Sequence, residues 1–185
     1  MLKEEFLKHW DSLWRDIPMW VYEAEILVLL AELVICSLTC GIRKGLRYGL
    51  GLLLIEYVLL IYCSTVFFRN TGKLQYDFMP FWSYFSYFRG EDDKLMAENI
   101  MNVVVFVPVG VLVGAVFRLM TWKKVLVIGM CLSVGIEVLQ FVYRKGFSEV
   151  DDVMHNTVGC LIGYGMYVFF RKEMNQRKLP PPPLR

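Results

Sequence analysis

The sequence carries little charge and has no excess of either sign. Twenty basic residues against eighteen acidic ones leave a formal net charge of +2, and only 21% of the residues are charged. This balance argues against a dedicated nucleic-acid binder, which concentrates positive charge on one face. Because 56% of the residues are hydrophobic, the composition also excludes disorder of the whole chain.

Several motifs of soluble enzymes are missing as well. The chain has no P-loop, no dinucleotide-binding glycine pattern, no HExxH pair and no paired CxxC. Its five cysteines lie inside apolar stretches, where cysteine behaves as a small hydrophobe and not as part of a disulfide framework. We therefore expect no cofactor and no resident metal.

Five long hydrophobic runs dominate the chain instead. Each has about 17–21 residues, the length that an α-helix needs to cross a hydrocarbon core. The runs do not alternate with period two, so they predict helices and not strands. We expect an all-α integral membrane bundle of about five transmembrane helices, with the first the weakest because it carries acids. The runs are Glu25–Ile42, Tyr48–Phe68, Ile100–Phe117, Val125–Tyr143 and Val153–Phe170.

Composition divides the chain into three segments. Residues 1–22 predict an amphipathic helix, which either lies in the membrane interface or packs against the bundle. Residues 23–170 form the transmembrane domain, and residues 171–185 form a basic, proline-rich tail. The apolar face of the first segment consists of Phe6, Leu7, Trp10, Leu13 and Trp14.

The distribution of basic residues predicts the orientation of the chain. The loops after the first and third runs contain basic residues without acids, and the tail is strongly basic. Such segments stay in the cytoplasm, so the N-terminus is expected outside and the C-terminus inside the cytoplasmic membrane. The basic residues are Arg43, Lys44, Arg47, Arg118, Lys123, Lys124, Arg171, Lys172, Arg177, Lys178 and Arg185.

An aromatic segment separates the second and third runs. Eight of the thirteen residues from Tyr76 to Phe88 are aromatic, too many for a solvated loop. The segment is too short and interrupted to span a bilayer, which favours an interfacial or re-entrant position. It forms either a lid beside a polar pocket or a plain aromatic belt.

The fourth run ends in polar residues that share one helical face. Glu137, Gln140 and Arg144 are spaced i, i+3 and i+7. An ionisable residue within a span costs about 2.5–3.5 kcal/mol on insertion scales, so a functional or pairing role is expected. Arg144 either anchors an anionic group of a ligand or pairs with Glu137 or Asp152 to join two helices.

The fifth run repeats this pattern. Asp152 and Asn156 share a face with Gly159 and Gly163, and Asp151 lies beside them. The short connection predicts an antiparallel hairpin with the fourth run, in which the glycines permit close approach. In the third run, Gly110 and Gly114 offer a second close-packing face, and Asn102 is either a partner of the polar hairpin or a helix-start residue.

In these residues the chain resembles the VanZ-like membrane proteins. The matching motifs are Asn102-Val-Val-Val-Phe106-Val-Pro108-Val-Gly110, Glu137-x-x-Gln140-x-x-x-Arg144 and Asp151-Asp152-x-x-x-Asn156-x-x-Gly159-x-x-x-Gly163, within about residues 78–167. Where family members often have Asn ahead of Pro-Phe, this chain has Asp77. The resemblance implies an envelope protein of Gram-positive bacteria and a link to resistance against teicoplanin, a lipoglycopeptide antibiotic.

The candidate residues are compatible with three functions. The first is an outward-facing polar pocket that binds an amphiphile, either the antibiotic or a lipid-linked wall precursor, in a protein that contacts membrane lipids and acts alone or within an oligomer. The second is an intramembrane enzyme with Glu137 and Asp152 as acid and base, or with a divalent metal on Asp151, Asp152 and Glu137. The third is a proton-coupled transporter using Glu25, Glu32, Glu56 and Glu137. The candidate binding residues are Asn102, Glu137, Gln140, Arg144, Asp151, Asp152 and Asn156.

Overall fold

The computed structural model describes residues 2–40, 42–90, 94–117 and 119–176. The predictions for Arg118, for the end of the tail from Arg177 onward and for the side chains of Arg43 and Lys44 lie outside this description. The described residues form seven α-helices and two short strands. They are α1 (Leu2–Arg15), α2 (Met19–Cys40), α3 (Ile42–Tyr62, followed by a π-helical turn at Cys63–Phe67), β1 (Gln75–Asp77), α4 (Trp82–Phe88), α5 (Leu95–Val116), α6 (Trp122–Tyr143), β2 (Phe147–Glu149) and α7 (Val150–Gln176).

The helical membrane bundle is confirmed, with four helices in the described chain long and apolar enough to cross a bilayer. They cover Gly45–Phe67, Leu95–Val116, Trp122–Tyr143 and Val150–Gln176, which correspond to the second to fifth predicted runs. The first run is not among them, although α2 has 22 residues. The side chains at positions 33, 37, 39 and 40 of this helix lie outside the described residues.

The centre of the fold is a close, parallel contact between α5 and α7. A methyl group added to Gly159 would collide with the carbonyl oxygen of Val103, and one added to Gly163 with that of Val107. From the other side, Gly110 leaves no room for a methyl group against the backbone of Cys160. Small residues let the two backbones meet, as is common between helices in membranes. The glycines of α7 therefore pack mainly against α5, and not against α6 as the hairpin prediction had it.

The buried core surrounds this contact. It is made of aliphatic side chains from α3, α5 and α6, with Cys160 of α7 and Phe106 of α5 filling the remaining space. Close packing replaces the hydrophobic driving force, which is absent between helices in lipid. The core residues are Ile61, Val66, Met101, Val105, Phe106, Val109, Val113, Val125, Ile136 and Cys160.

The amphipathic N-terminal helix packs against the bundle. Trp10, Leu13 and Trp14 of α1 lie against the core, together with Phe6, while Leu7 is exposed. His9 reaches α5, where its Nε2 lies 2.6 Å from Oε1 of Glu98. The sequence allowed α1 either to lie in the membrane interface or to pack against the bundle, and in the structure α1 packs against the bundle.

A short parallel pairing of β1 with β2 was not predicted. Gln75 pairs with Phe147, and Asp77 with Glu149, so the segment before the aromatic helix α4 is tied to the connection before α7. Two strands of three residues carry no alternating hydrophobic pattern long enough to detect in a sequence. The pairing places the aromatic segment directly over the start of α7.

The connection between α6 and α7 turns sharply. Arg144 and Gly146 both have positive φ, at 56° and 90°, and the Lys145 N–H donates to the carbonyl of Gln140 at 2.9 Å. This is a left-handed helix end of the kind that Gly usually provides. Because α3 and α6 end where α5 and α7 begin, the polar residues of four helices meet at one end of the bundle.

Candidate functional site

Asp151 and Asp152, which are adjacent at the start of α7, have different surroundings and different hydrogen-bond partners. Asp151 is fully buried and accepts hydrogen bonds from the Phe81 N–H at 2.5 Å, the Ser83 N–H at 3.0 Å and the Ser83 hydroxyl at 2.5 Å. Asn99 donates to the same hydroxyl at 3.1 Å. The carboxylate thus satisfies the otherwise unpaired N–H groups at the start of α4 and holds Phe81 at its positive φ of 65°. Asp151 is a structural residue that positions the aromatic segment.

Asp152 faces the opposite way, toward a cavity. Its Oδ1 accepts a hydrogen bond from the Asn102 side chain at 2.7 Å, which brings α5 and α7 together at the polar end. One turn further along α7, Asn156 donates to Ser133 of α6 at 2.8 Å. Asn102 is therefore a partner of the polar residues of α7, and Asn156 joins α7 to α6.

Glu137 is buried behind the β2 segment. Its Oε2 accepts a hydrogen bond from the Glu149 N–H at 2.8 Å, and its backbone carbonyl accepts one from the Ser148 hydroxyl at 3.1 Å. These bonds fix the residues just before α7 against α6. Glu137 thus fixes the backbone of Glu149, a residue that was not among the candidate site residues predicted from the sequence.

A polar cavity of about 510 Å³ opens between α1, the end of α3, α5 and the strands. Carboxylates, amides and hydroxyls line it together with one guanidinium and one imidazole. Two of the candidate binding residues, Asp152 and Asn102, lie on its wall. The remaining lining residues with polar side chains are His9, Ser12, Asp16, Ser64, Arg69, Gln75, Trp82, Glu98, Asn99 and Glu149.

A second, apolar groove of about 260 Å³ lies on the other side of the β2 segment. Its walls are formed chiefly by Val134, Val138 and Phe141 of α6, by Phe78 and by Val153. Among the described residues, Glu149 alone lines both the groove and the polar cavity. The two spaces are therefore neighbours that share this residue in their walls.

Glu149 is held in a setting that disfavours its charge. Its side chain is 8% exposed, and its Oε2 accepts a hydrogen bond from the Trp82 indole at 3.0 Å. Burial, reinforced by the nearby Asp152, raises the pKa of Glu149 to about 9. At neutral pH the group is a neutral acid at the boundary between the two spaces.

The guanidinium of the cavity belongs to Arg69 and not to Arg144. Arg144 is exposed at the end of α6 and forms no ion pair with Glu137 or Asp152 among the described side chains. Arg69, which follows the π-helical turn, lies over Gly146, where a Cβ would come within 2.8 Å of its guanidinium carbon. The left-handed turn that exposes Arg144 thus provides the room for Arg69.

Gln140 lies away from both spaces. It is 4% exposed, and its side-chain nitrogen donates to the carbonyl of Thr65 at 3.2 Å, which ties α6 to the π-helical turn. Its Oε1 and the Oδ1 of Asn156 are buried without a hydrogen-bond donor in the described part of the chain. In the structure Gln140 joins helices and does not line the cavity.

The acids proposed for proton transport form a separate group. Glu25 and Glu32 of α2 lie near Glu56 of α3, and none of the three lines the polar cavity. Both side-chain oxygens of Glu56 and one of Glu32 are buried with no hydrogen-bond donor among the described residues. These side chains face the α2–α3 contact and do not connect to Glu137.

The described residues contain no group of three or more His, Cys, Asp or Glu side chains arranged to hold a metal ion. The trio of Asp151, Asp152 and Glu137 does not converge. Asp151 is occupied by α4, Asp152 lines the polar cavity and Glu137 lines the groove.

Sequence reasoning missed the cavity residues that come from distant segments. His9, Arg69, Trp82, Glu98 and Glu149 each sit in a different element and follow no shared spacing. One signal was available: Glu149 is a charged residue two positions before Asp151, at a helix start flanked by apolar runs. Its place between two cavities is a property of the tertiary fold alone.

Comparisons with known proteins agree with this architecture. The model of the VanZ/LLP1 family matches residues 52–171 of the 185, which includes the second half of α3, both strands, α4 to α6 and α7 up to Arg171. The match leaves out α1, which forms one wall of the polar cavity. Protein VanZ of Enterococcus faecium is 29% identical over 136 residues, covering 70% of this chain and 83% of that protein. No solved structure is similar enough to count as a match. The chain belongs to the VanZ/LLP1 family.

Proposed function

We propose that this chain binds an amphiphile at the junction of the polar cavity and the apolar groove, and that it thereby contributes to resistance against lipoglycopeptides such as teicoplanin. The observation that supports this is the position of Glu149, which lines both spaces. A molecule with a polar head and an apolar chain would place its head–chain linkage at that residue. Membership in the family of Protein VanZ supports the envelope role.

The two spaces match the two halves of such a ligand. The groove presents Val134, Val138 and Phe141 to an alkyl chain, and burying each CH₂ group contributes about 0.8 kcal/mol. The cavity presents Asn102 and Asp152, which fix the orientation of a polar head. An apolar site with a few placed polar groups is the usual form of a small-molecule pocket.

Two ligands fit this description in the cell envelope. One is the lipid-bearing part of the antibiotic, which the protein would hold away from its target. The other is a lipid-linked wall precursor, which the protein would shield from the antibiotic. Both carry a large polar group on an apolar chain and would use the same junction.

The polar end of the bundle is proposed to face outward. The opposite end carries Arg47, Lys123, Lys124, Arg171 and Lys172, and basic residues of short loops stay in the cytoplasm. The N-terminus is then outside and the C-terminus inside. With α2 running antiparallel to α3 beside the spans, this orientation places the cavity within reach of a ligand in the outer leaflet.

Binding is preferred over the two alternatives because of the geometry. Glu137 and Asp152 line different spaces, so the pair does not meet on one reacting atom. A proton path would have to join the Glu25–Glu32–Glu56 group to Glu137, and no described polar residue bridges them in the hydrogen-bond network.

The test is antibiotic susceptibility in a sensitive Gram-positive host. Wild type should raise the inhibitory concentration of teicoplanin but not that of a glycopeptide without a lipid chain. Asp152→Asn, which alters the cavity, and Val138→Trp, which fills the groove, should abolish the effect, whereas Asp11→Asn on the exposed face of α1 should not. Membrane abundance is matched by blotting.

Two results would overturn the proposal. If wild type at matched abundance leaves susceptibility to teicoplanin unchanged, the resistance role is wrong. If Val138→Trp confers full resistance, the groove does not hold the ligand.

A further inference from the structure

One wall of the polar cavity is formed by the amphipathic helix α1. The residues that α1 and the turn after it contribute to the lining are spaced i, i+3, i+4 and i+7, so they form one stripe. They are His9, Ser12, Leu13 and Asp16. The remaining walls come from the end of α3, from α5 and from the segments around the two strands. Without α1 the cavity would be open on this side.

The attachment of α1 to the bundle is lighter than that of the helix on which it packs. None of the residues of α1 is buried, whereas α5 has buried residues along its whole length. The apolar face of α1 reaches the core through Trp10, Leu13 and Trp14, which are only partly buried. The indole nitrogen of Trp14 is buried without an acceptor among the described residues, which weakens the contact further. A helix attached in this way opens at a lower free energy than a buried one.

A pivot for such an opening lies at the end of α1. The helix ends at Arg15, and α2 begins at Met19 after a turn of residues 16–18. Ile17 in this turn is buried, and the hydroxyl of Tyr22 in α2 donates to the carbonyl of Trp14 at 3.1 Å. The turn is thus anchored to α2, and a few residues at the end of an element are what a hinge requires.

The side chain of His9 joins α1 to α5 within this wall. Its Nδ1 lies 3.0 Å from the backbone carbonyl oxygen of Glu5, and its Nε2 lies 2.6 Å from Oε1 of Glu98. A carbonyl oxygen only accepts hydrogen bonds, so Nδ1 carries a hydrogen. The short contact between Nε2 and a carboxyl oxygen then needs a second proton, which either the imidazole or the carboxyl group supplies. The closed position of α1 therefore holds one proton more than a neutral imidazole and a carboxylate would.

Loss of this proton would turn the contact from attractive to repulsive. The lone pair of Nε2 would then face a carboxylate oxygen of Glu98 at hydrogen-bond distance. Within the described ranges, Glu98 is the residue that bonds Nε2, and the other charged groups around His9 are of both signs. These groups are Glu5, Lys8 and Asp16 on the side of α1, Lys94 at the start of α5, Arg69 after the π-helical turn, and Glu149 and Asp152 across the cavity.

We propose that α1 is a hinged lid over the polar cavity, held shut by the proton shared between His9 and Glu98 and released when this proton is lost. Histidine is the side chain whose charge ordinarily changes between about pH 5 and 8, which places the release near neutral pH. Because the closed lid holds the extra proton, it is favoured on the acidic side and opens as the pH rises. What the open lid admits rests on the proposed function: it is the polar head of the amphiphile.

The lid is tested without a ligand, by hydrogen–deuterium exchange of the purified full chain in dodecyl maltoside micelles. Protection of the α1 amides is compared at about pH 6 and about pH 8.5, after correction for the intrinsic pH dependence of exchange. The amides of residues 105–113 in α5 serve as the internal reference, because the stability of the whole fold also changes with pH. We expect the protection of α1 relative to this reference to fall about tenfold, as the loss of one charge-assisted hydrogen bond gives.

Two substitutions at one position give opposite expectations. Glu98→Ala removes the partner of Nε2, so α1 should exchange at the lower pH as the wild type does at the higher pH. Glu98→Gln accepts from a protonated Nε2 through its oxygen and donates to a neutral one through its nitrogen, so α1 should stay protected at both pH values. Asp11→Asn, on the exposed face of α1, should keep the wild-type response.

The lid and the proposed function fail in different ways. If the protection of α1 changes with pH no more than that of the reference, or if Glu98→Gln responds to pH as the wild type does, the shared proton does not hold the lid. Susceptibility of the expressing host to teicoplanin tests the binding role separately. A pH-sensitive α1 in a protein that leaves susceptibility unchanged would support the lid and refute the resistance role, and the reverse combination would refute the lid alone.

Discussion

The α5–α7 contact and the α2–α3 contact both join apolar helices, yet they differ in how many close backbone approaches they contain. Between α5 and α7, Gly110, Gly159 and Gly163 bring the backbones together with no room for a methyl group. Between α2 and α3, Gly45 makes one close approach, to the carbonyl of Cys36, and an apolar gap of about 370 Å³ remains elsewhere. Both pairs are apolar, so the number of small residues that permit close contact, and not hydrophobicity, distinguishes the tighter pair.

The polar side chains follow the same division. At the start of α7, Asp151 receives three hydrogen bonds and Asp152 receives one from Asn102. In the α2–α3 contact, both oxygens of Glu56 are buried without a described donor. The carboxyl groups at the start of α7 thus have hydrogen-bond donors, whereas Glu56 in the α2–α3 contact has none among the described residues. The family match, which begins at residue 52, includes the whole of the first region and leaves out α2.

The largest expected effect comes from breaking the tight contact. Gly159→Val should prevent folding or cost about 4 kcal/mol or more, because the side chain would displace the backbone of Val103. Gly165→Ala, six residues along the same helix, meets nothing within 4 Å and should be neutral or slightly stabilising. Thermal unfolding in detergent, followed by circular dichroism, measures both. Equal stability of the two variants would contradict the packing described here.

Removal of Asp151 should have the next largest effect. Asp151→Ala deprives Phe81 and Ser83 of their acceptor in a buried place, and we expect a loss of roughly 3 kcal/mol in unfolding free energy. Asp152→Asn keeps a hydrogen-bonding side chain and should lose less than 1 kcal/mol, roughly, in the same measurement. If the two variants are equally unstable, the division of roles between the adjacent aspartates is wrong.

A smaller effect should appear as a change in pH dependence. Glu149 has a pKa of about 9 in the fold against an ordinary 4.5, so the folded chain binds more protons than the unfolded chain between these values. Stability should therefore fall as pH rises through that window. Glu149→Gln mimics the neutral acid, so it should flatten the slope and stabilise the chain at pH 8. Other buried acids titrate in both proteins, so only the difference between the two slopes counts. Parallel slopes would contradict a protonated Glu149.

The smallest expected effect belongs to the loose contact. Glu56→Gln removes a carboxyl group without a described partner and should leave stability unchanged or raise it by about 1 kcal/mol. It should also leave teicoplanin susceptibility of the expressing host at the wild-type level. Loss of resistance at normal abundance would connect the α2–α3 acids to function and support the transporter alternative.

The sequence predicted much of the fold because lipid leaves few choices. Runs of about twenty apolar residues can only be helices in a bilayer, and four of the five runs qualify in the structure. The exception is the first run, which carries Glu25 and Glu32 and part of whose side chains lie outside the described residues. The amphipathic face of α1 was also visible, but its partner was not, because an apolar face fits an interface and a bundle equally well.

The candidate site was only partly visible. Spacing along α6 and α7 placed Glu137, Asp152 and Asn156 on faces that meet, and Asn102 does contact Asp152. Spacing also suggested Arg144 as the basic residue of the site, whereas the left-handed turn at the end of α6 exposes it and admits Arg69. A periodic pattern extends only as far as the helix, and Arg144 lies just past its end.

The sequence by itself determined that the chain lies in a membrane, that its long apolar runs are helices, and which family it resembles. Long apolar runs in lipid must form helices, and motifs of fixed spacing identify the relatives. Only the tertiary structure decided which acids line a cavity and which cap a helix. Asp151 and Asp152 are neighbours of the same type, and they differ because the β1–β2 pairing carries the α4 N–H groups to one of them and leaves the other facing open space.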